Sequence, residues 1–191
     1  MPVRVPLLVL AILVGGCGPS RPPAPPVVHE IKGNKLLETT EKEIRDRYKG
    51  GPLDDVFIPK EFESLIGDSE IALSKPVDAK TGKPMTFADE VVKQIVFRFA
   101  KGTLIAIYLK VEYNALIGDK ISGYSLKSAL ESKYGPPEEP EPQTYLWKSS
   151  LTVVKVHRAE VSAESVEHLK VAEEKKMRDA DERVRRQNSD T

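Results

Sequence analysis

The 191-residue sequence has a single cysteine. A lone thiol rules out an intramolecular disulfide framework and any cysteine-based zinc knuckle. Aromatic residues are scarce, at 6% with one tryptophan, and neither charge sign is in excess, because 29 Lys and Arg balance 29 Asp and Glu. Without a basic surplus no global charge displaces counterions from a polyanion, so no nucleic-acid partner is expected. Long hydrophobic runs are missing as well. The uncharged apolar stretch from Val5 to Val14 has ten residues, whereas a bilayer span needs about 20 helical residues. The chain also lacks a Gly-x-Gly-x-x-Gly loop, a Walker-type lysine loop and a Ser-x-x-Lys pair. Asp54-Asp55 has neither the alternating oxygen ligands nor the bidentate Glu of a calcium loop. No cofactor and no metal site is expected.

What remains is 40% hydrophobic and 30% charged, the composition of one small folded domain with flanking segments. The N-terminus carries the strongest signal. Arg4 forms a short positive region, the Val5–Val14 run follows, and Val14-Gly15-Gly16-Cys17 closes it. That order fits a secretory signal whose small residues enter a peptidase cleft. The four residues resemble the lipobox of bacterial lipoproteins. The resemblance implies cleavage after Gly16 over residues 1–16, a diacylglyceryl thioether on Cys17, and acylation of the new amino group. Two or more acyl chains make membrane residence stable where one binds only marginally. Gly18, rather than Asp, follows the cysteine, which in the sorting pattern of enteric lipoproteins implies the outer membrane, facing the periplasm. Residues 17–27 then form a tether. Gly18 to Pro26 holds five prolines in nine residues, so it favours extended polyproline II and spans roughly 30 Å at ~3.1 Å per residue.

Beyond residue 28 the pattern becomes globular. Thr40-Glu41-Lys42-Glu43 reads as a capping box opening a short helix through Ile44 and Tyr48, stopped by Gly50-Gly51-Pro52. Pro59 opens a second short helix with Phe62, Leu65 and Ile66 on one face, and residues 74–85 read as a loop. Ile95, Phe97 and Phe99 alternate into a Lys101-Gly102 turn, and Ile105, Ile107, Leu109 and Val111 return on one face: a β-hairpin. Ser125 caps a helix carrying Leu126, Ala129 and Leu130, ended by Gly135-Pro136 and expected to cover that face. Residues 138–142 read as an acidic loop, and Tyr145-Leu146-Trp147 with residues 151–156 as a second hairpin. The expectation is an α+β domain over residues 28–160, with antiparallel hairpins and helices packed on one face of the sheet. Leu130 to Pro136 echoes Ile44 to Pro52, although helix ends commonly use Gly then Pro.

From Ser162 the chain reads as a charged helix and tail, residues 161–191, with 12 charged side chains among residues 170–186. Glu164 and His168, four apart, fall on one face of such a helix. His29 and His157 lie apart from them, and none of the three histidines has the paired spacing of a metal site. Gly67-Asp68-Ser69 resembles the start of a lipase block, but no Asp-x-x-His follows to supply a base, so Ser69 reads as loop chemistry. Tyr145 and Trp147, two apart on a strand, share a face and are the candidate contact surface.

The run Leu130-x-x-Lys133-Tyr134-Gly135-Pro136 followed by Tyr145-Leu146-Trp147 resembles small α+β envelope lipoproteins of unassigned function. The expected function is a lipid-anchored, non-catalytic binding or scaffold module of the bacterial envelope. Its partners would be membrane lipid through Cys17 and an envelope protein or glycan. A small enzyme acting on cell-wall material is the alternative. Replacing the thiol tests the anchor. Cys17→Ser is expected to leave an unacylated precursor or a soluble protein, and mass spectrometry of the wild type should find Cys17 as the modified N-terminal residue. A mature terminus elsewhere would refute the lipobox.

Overall fold

The structure, a computed structural model, describes residues 29–50, 69–112 and 119–189. The signal, Gly16, Cys17, the tether and the helix expected at Pro59 lie outside the described residues. The chain begins with a small hairpin, β1 (Glu30–Ile31) and β2 (Asn34–Lys35), followed by α1 (Glu41–Arg47) and β3 (Tyr48–Lys49). After it come β4 (Ser69–Ser74), β5 (Val77–Asp78), β6 (Thr86–Phe87), β7 (Glu90–Ala100) and β8 (Thr103–Val111). The remainder is α2 (Asp119–Tyr134), β9 (Glu138–Glu141), β10 (Thr144–Lys148), β11 (Thr152–His157), β12 (Glu160–Ser165) and α3 (Val166–Ser189). The main sheet runs β4-β7-β8-β12-β11-β10-β9, with β6 paired to the start of β7, and its pairings are antiparallel. The fold is α+β and rich in strand.

Local chemistry explains the elements that match expectation. The Thr40 N–H donates to Glu43 Oε2 at 2.7 Å and the Glu43 N–H returns to Thr40 Oγ1 at 3.3 Å, a complete capping box. Lys101 and Gly102 take φ of 51° and 73°, the paired positive values of a two-residue hairpin turn whose twist matches its strands. Tyr145 faces Val156 and Trp147 faces Val154 across the second hairpin.

Several expectations are corrected. Residues 69–74, of which the sequence pattern places only Ser69 and residue 74 in loops, form edge strand β4, with Ile71 and Leu73 alternating into the core. Residues 138–141 are strand β9 rather than loop. Its Pro140 and acidic side chains suit an edge that must not recruit another strand. Helix α2 starts at Asp119, so Ser125 lies inside it rather than capping it. Helix α1 ends not at Gly50 but at Tyr48, whose extended φ/ψ of −118°/147° leads directly into β3. The charged helix begins at Val166, because residues 160–165 alternate as β12 between β8 and β11.

The inward face of β8 also differs. Phe99 pairs with Leu104 but Arg98 pairs with Ala106, so Ile105 is one extra residue. A bulge of this kind changes which side chains face inward. Leu104, rather than Ile105, joins Ile107, Leu109 and Val111 in the main core. Ile105 instead lines a cavity of about 330 Å³ with Leu37, His168 and Val171, beside the first turn of α3. The opposite face of the central strands is buried too. Val96, Ala106 and Tyr108 cluster there with Ala72. Arg98 Nη2 meets Glu70 at 2.8 Å, and the Tyr108 hydroxyl donates to Glu164 at 3.4 Å. Burial, then the Glu164 carboxylate, push the Tyr108 phenol far above its ordinary value.

Leu126 and Leu130, one turn apart on α2, sit in the same buried cluster as Trp147, Val154 and Val156. Leu130 is 2% exposed. Leu130→Ala should therefore lower the unfolding free energy by about 2–5 kcal/mol, through lost burial and an incompletely filled cavity. Urea denaturation gives the value, and a midpoint equal to wild type would refute this packing.

Candidate functional site: a cleft beside the first hairpin

The residues preceding β1 meet the body at His29. Its backbone N–H donates to Thr152 Oγ1 at 3.0 Å, and its ring Nδ1 lies 2.7 Å from the same oxygen. The same hydroxyl also lies 3.3 Å from Ser149 Oγ, so the Nδ1 contact is compatible with a proton on either ring nitrogen. The ring meets Tyr134 edge to face at 4.5 Å. Among the described residues Nε2 has no oxygen or nitrogen partner. Burial, opposed by a hydrogen bond to the Thr152 backbone and reinforced by Lys133, holds the imidazole below its ordinary pKa and therefore neutral at pH 7.

The next residue is held as firmly. The Glu30 N–H donates to the Tyr134 hydroxyl at 2.7 Å, which in turn donates to the Glu30 carbonyl at 2.8 Å. The Glu30 carboxylate pairs with Lys133. Tyr134 and Lys133 occupy these positions because α2 ends there. Gly135, at φ 82°, closes the helix by donating its N–H to the Glu131 carbonyl at 2.9 Å. The freed Gly135 carbonyl accepts the Trp147 indole N–H at 2.8 Å.

These contacts frame a cleft of about 310 Å³. His29, Lys133 and Tyr134 form one side, Pro136, Leu146 and Trp147 an apolar side, and Glu138, Lys148 and Ser149 the rim. Lys148 Nζ pairs with Glu138 at 2.6 Å. Ser149 is committed to its turn: its hydroxyl accepts from the Leu151 and Thr152 N–H groups at 3.2 and 2.9 Å and lies 3.1 Å from the Thr152 carbonyl. Such an oxygen shapes a turn and is poorly placed to attack a substrate.

The sequence candidates fall elsewhere than expected. Tyr145 and Trp147 are 6% and 4% exposed, so they are core residues and not an open contact surface. The Lys127 ammonium lies 4.9 Å above the Tyr145 ring and 2.8 Å from Glu139. Glu164 and His168 do not share a helical face. Glu164 ends β12 and His168 sits in the first turn of α3, its N–H donated to Ser165 Oγ at 3.2 Å. His157 Nδ1 lies 2.9 Å from Thr144 Oγ1, and Ser69 donates to Glu41 at 2.7 Å. Among the described residues no group of three or more His, Cys, Asp or Glu is arranged to hold a metal ion. None of their helices is long and apolar enough to cross a membrane. For His29 the sequence offers only that it lacks the paired spacing of a metal site. Its partner Thr152 is 123 residues away, and no local pattern marks such a pair.

The model of the TP0088 domain family matches residues 61–181. That is more than half the chain, and the chain belongs to this family. No curated protein matches it, and no solved structure does. The matched span holds the main sheet, α2, and the cleft residues from Lys133 to Ser149; His29 and the first hairpin precede it.

A buried neutral histidine leaves a pH signature. Unfolded, the ring titrates near its ordinary value of about 6.5; folded, it does so lower. Stability is therefore full above that value and falls as pH drops, because the unfolded chain takes up the proton first. Thermal midpoints measured from pH 7.5 to 4.5 should decline, and His29→Gln should flatten the part of the slope near pH 6. An unchanged slope there would refute the assignment.

Proposed function

We propose that the protein is a lipid-anchored bacterial envelope protein: a non-catalytic binding module held by acylated Cys17 and facing the periplasm from the outer membrane. The observation that carries this reading is the rooting of the N-terminal segment. A chain arriving from a proline-rich tether is fixed within two residues, at His29 and Glu30, to β11 and to the end of α2. The body then cannot swivel about its entry point. A cleft opens directly beside that entry, so it would be presented at a set distance from the lipid. In this reading α1 and α2 form the layer on one face of the sheet, and the end of α2 builds one cleft wall.

A second feature suits partner contact. Helix α3 has 24 residues, about 36 Å at 1.5 Å per residue. Met177 and Val184 on it are 65% and 55% exposed. A helix this polar gains little from its own body and is suited to bridging. The envelope partner, protein or glycan, is the element to identify. Crosslinking in the native envelope, with and without residues 174–191, tests the helix while leaving β12 and buried His168 intact. The truncated chain should keep its thermal midpoint within a few degrees and lose most of the crosslinked partner. Undiminished recovery would exclude α3 as the contact.

A further inference from the structure

The cleft beside His29 is electrically neutral although its rim is charged. Lys133 is matched by Glu30 and Lys148 by Glu138, and the imidazole carries no charge at pH 7. A free anion would find no net positive field, and two carboxylates would oppose it. A hydroxyl group fits better. Each Lys–Glu pair keeps spare donors on the ammonium and spare acceptor sites on the carboxylate, while a hydroxyl both donates and accepts. The Lys148–Glu138 pair on the rim and Lys133 on the side wall can therefore serve separate hydroxyls.

The walls add two further requirements. Pro136, Leu146 and Trp147 offer apolar surface, which needs a ligand with a C–H face. His29 is 3% exposed and lines the cleft. Its Nδ1 is held by Thr152, and Nε2 has no oxygen or nitrogen partner among the described residues. Nε2 is not among the sealed-off unpaired atoms, so it is open to a group that can both donate and accept, such as a hydroxyl. The volume of about 310 Å³ sits at the lower end of the roughly 300–1,000 Å³ usual for small-molecule sites.

From this combination we infer that the cleft binds an uncharged sugar ring, with one hydroxyl on His29 Nε2, others on Lys133 and on the Lys148–Glu138 pair, and the C–H face against Pro136, Leu146 and Trp147. The inference rests on the binding-module reading only in taking the cleft to hold a ligand without cleaving it. It names the chemistry of that ligand. Trp147 lines the cleft while its indole N–H stays on the Gly135 carbonyl.

The chain has one tryptophan, and it lines the site, so intrinsic fluorescence reports occupancy directly. The full chain in detergent is titrated at pH 7 with glucose, galactose, mannose, N-acetylglucosamine and cellobiose, and separately with glucuronate and inorganic phosphate. At least one uncharged sugar should give a saturable Trp147 change in the millimolar range, with a matching shift of the His29 imidazole signals in NMR. Glu138→Gln and Lys148→Met, both at the exposed rim, should each weaken it about tenfold, equivalent to 1.4 kcal/mol. Lys42→Met, on α1, should leave it unchanged. His29→Gln should abolish it, and the rim variants carry the test if that variant folds poorly. No response to any uncharged sugar at ~50 mM, or a stronger response to glucuronate or phosphate, would overturn the inference. So would insensitivity to both rim variants. Neither result would bear on Cys17, whose acylation is read separately by mass.

Discussion

Residues 160–164 of β12 pair with residues 106–110 of β8, matching Val161 to Leu109 and Ala163 to Ile107. This ladder joins β4, β7 and β8 on one side to β11, β10 and β9 on the other. Without it the strands are two separate meanders, each with an open edge and half a core. With it, Phe97 and Ile107 share a cluster with Val154 and Trp147. The same ladder sets Glu164 beneath the Tyr108 hydroxyl, brings Lys110 to Glu160 at 3.0 Å, and fixes where α3 leaves the sheet. Because β12 pairs on both sides, its backbone groups are largely satisfied within the sheet, and its sequence needs no strong β propensity of its own.

That last point explains why β12 was illegible. Glu160-Val-Ser-Ala-Glu-Ser165 has small and acidic residues and runs straight into a charged helix. Composition therefore favours continuing the helix upstream, and only the pairing with β8 overrides it. The acidic β9, drawn out as an edge by β10, was hidden for the same reason. Signals complete within a few residues were read correctly: the Thr40–Glu43 cap, the Lys101-Gly102 turn and the stop at Gly135. The extra residue at Ile105 was not, because a bulge arises from the register of two strands and leaves no mark in the alternation of one. The site was the least legible part. The aromatic pair drew notice by its residue types and proved to be core, while the cleft depends on a histidine held from 123 residues away.

The two helix ends ending in Tyr resemble each other in sequence but not in backbone. Tyr48 passes into an extended strand, while Tyr134 precedes a left-handed glycine. Their hydroxyls nevertheless do related work on the first hairpin. The Tyr48 hydroxyl accepts from Asn34 at 2.9 Å, and the Tyr134 hydroxyl brackets the Glu30 backbone. Arg47 adds a bond to Asn34 at 2.5 Å. A hairpin with two-residue strands is too short to persist alone, so these side chains are what give it a fixed place.

The anchoring of that hairpin has a mechanical side. Tension entering at residue 29 meets Thr152, the first residue of β11 in the main sheet, and then the Tyr134 hydroxyl at the end of α2. The two contacts stand in series along the chain, so a pull loads the His29–Thr152 pair first and the Glu30–Tyr134 pair next. Past them, ahead of α1, the Leu37 N–H donates to the Leu104 carbonyl and the Leu104 N–H to the Thr39 carbonyl, so the load also enters β8 directly. Because Ile31 and Leu36 are fully buried in the main core, the first hairpin passes a pull on the leading end into the domain instead of absorbing it.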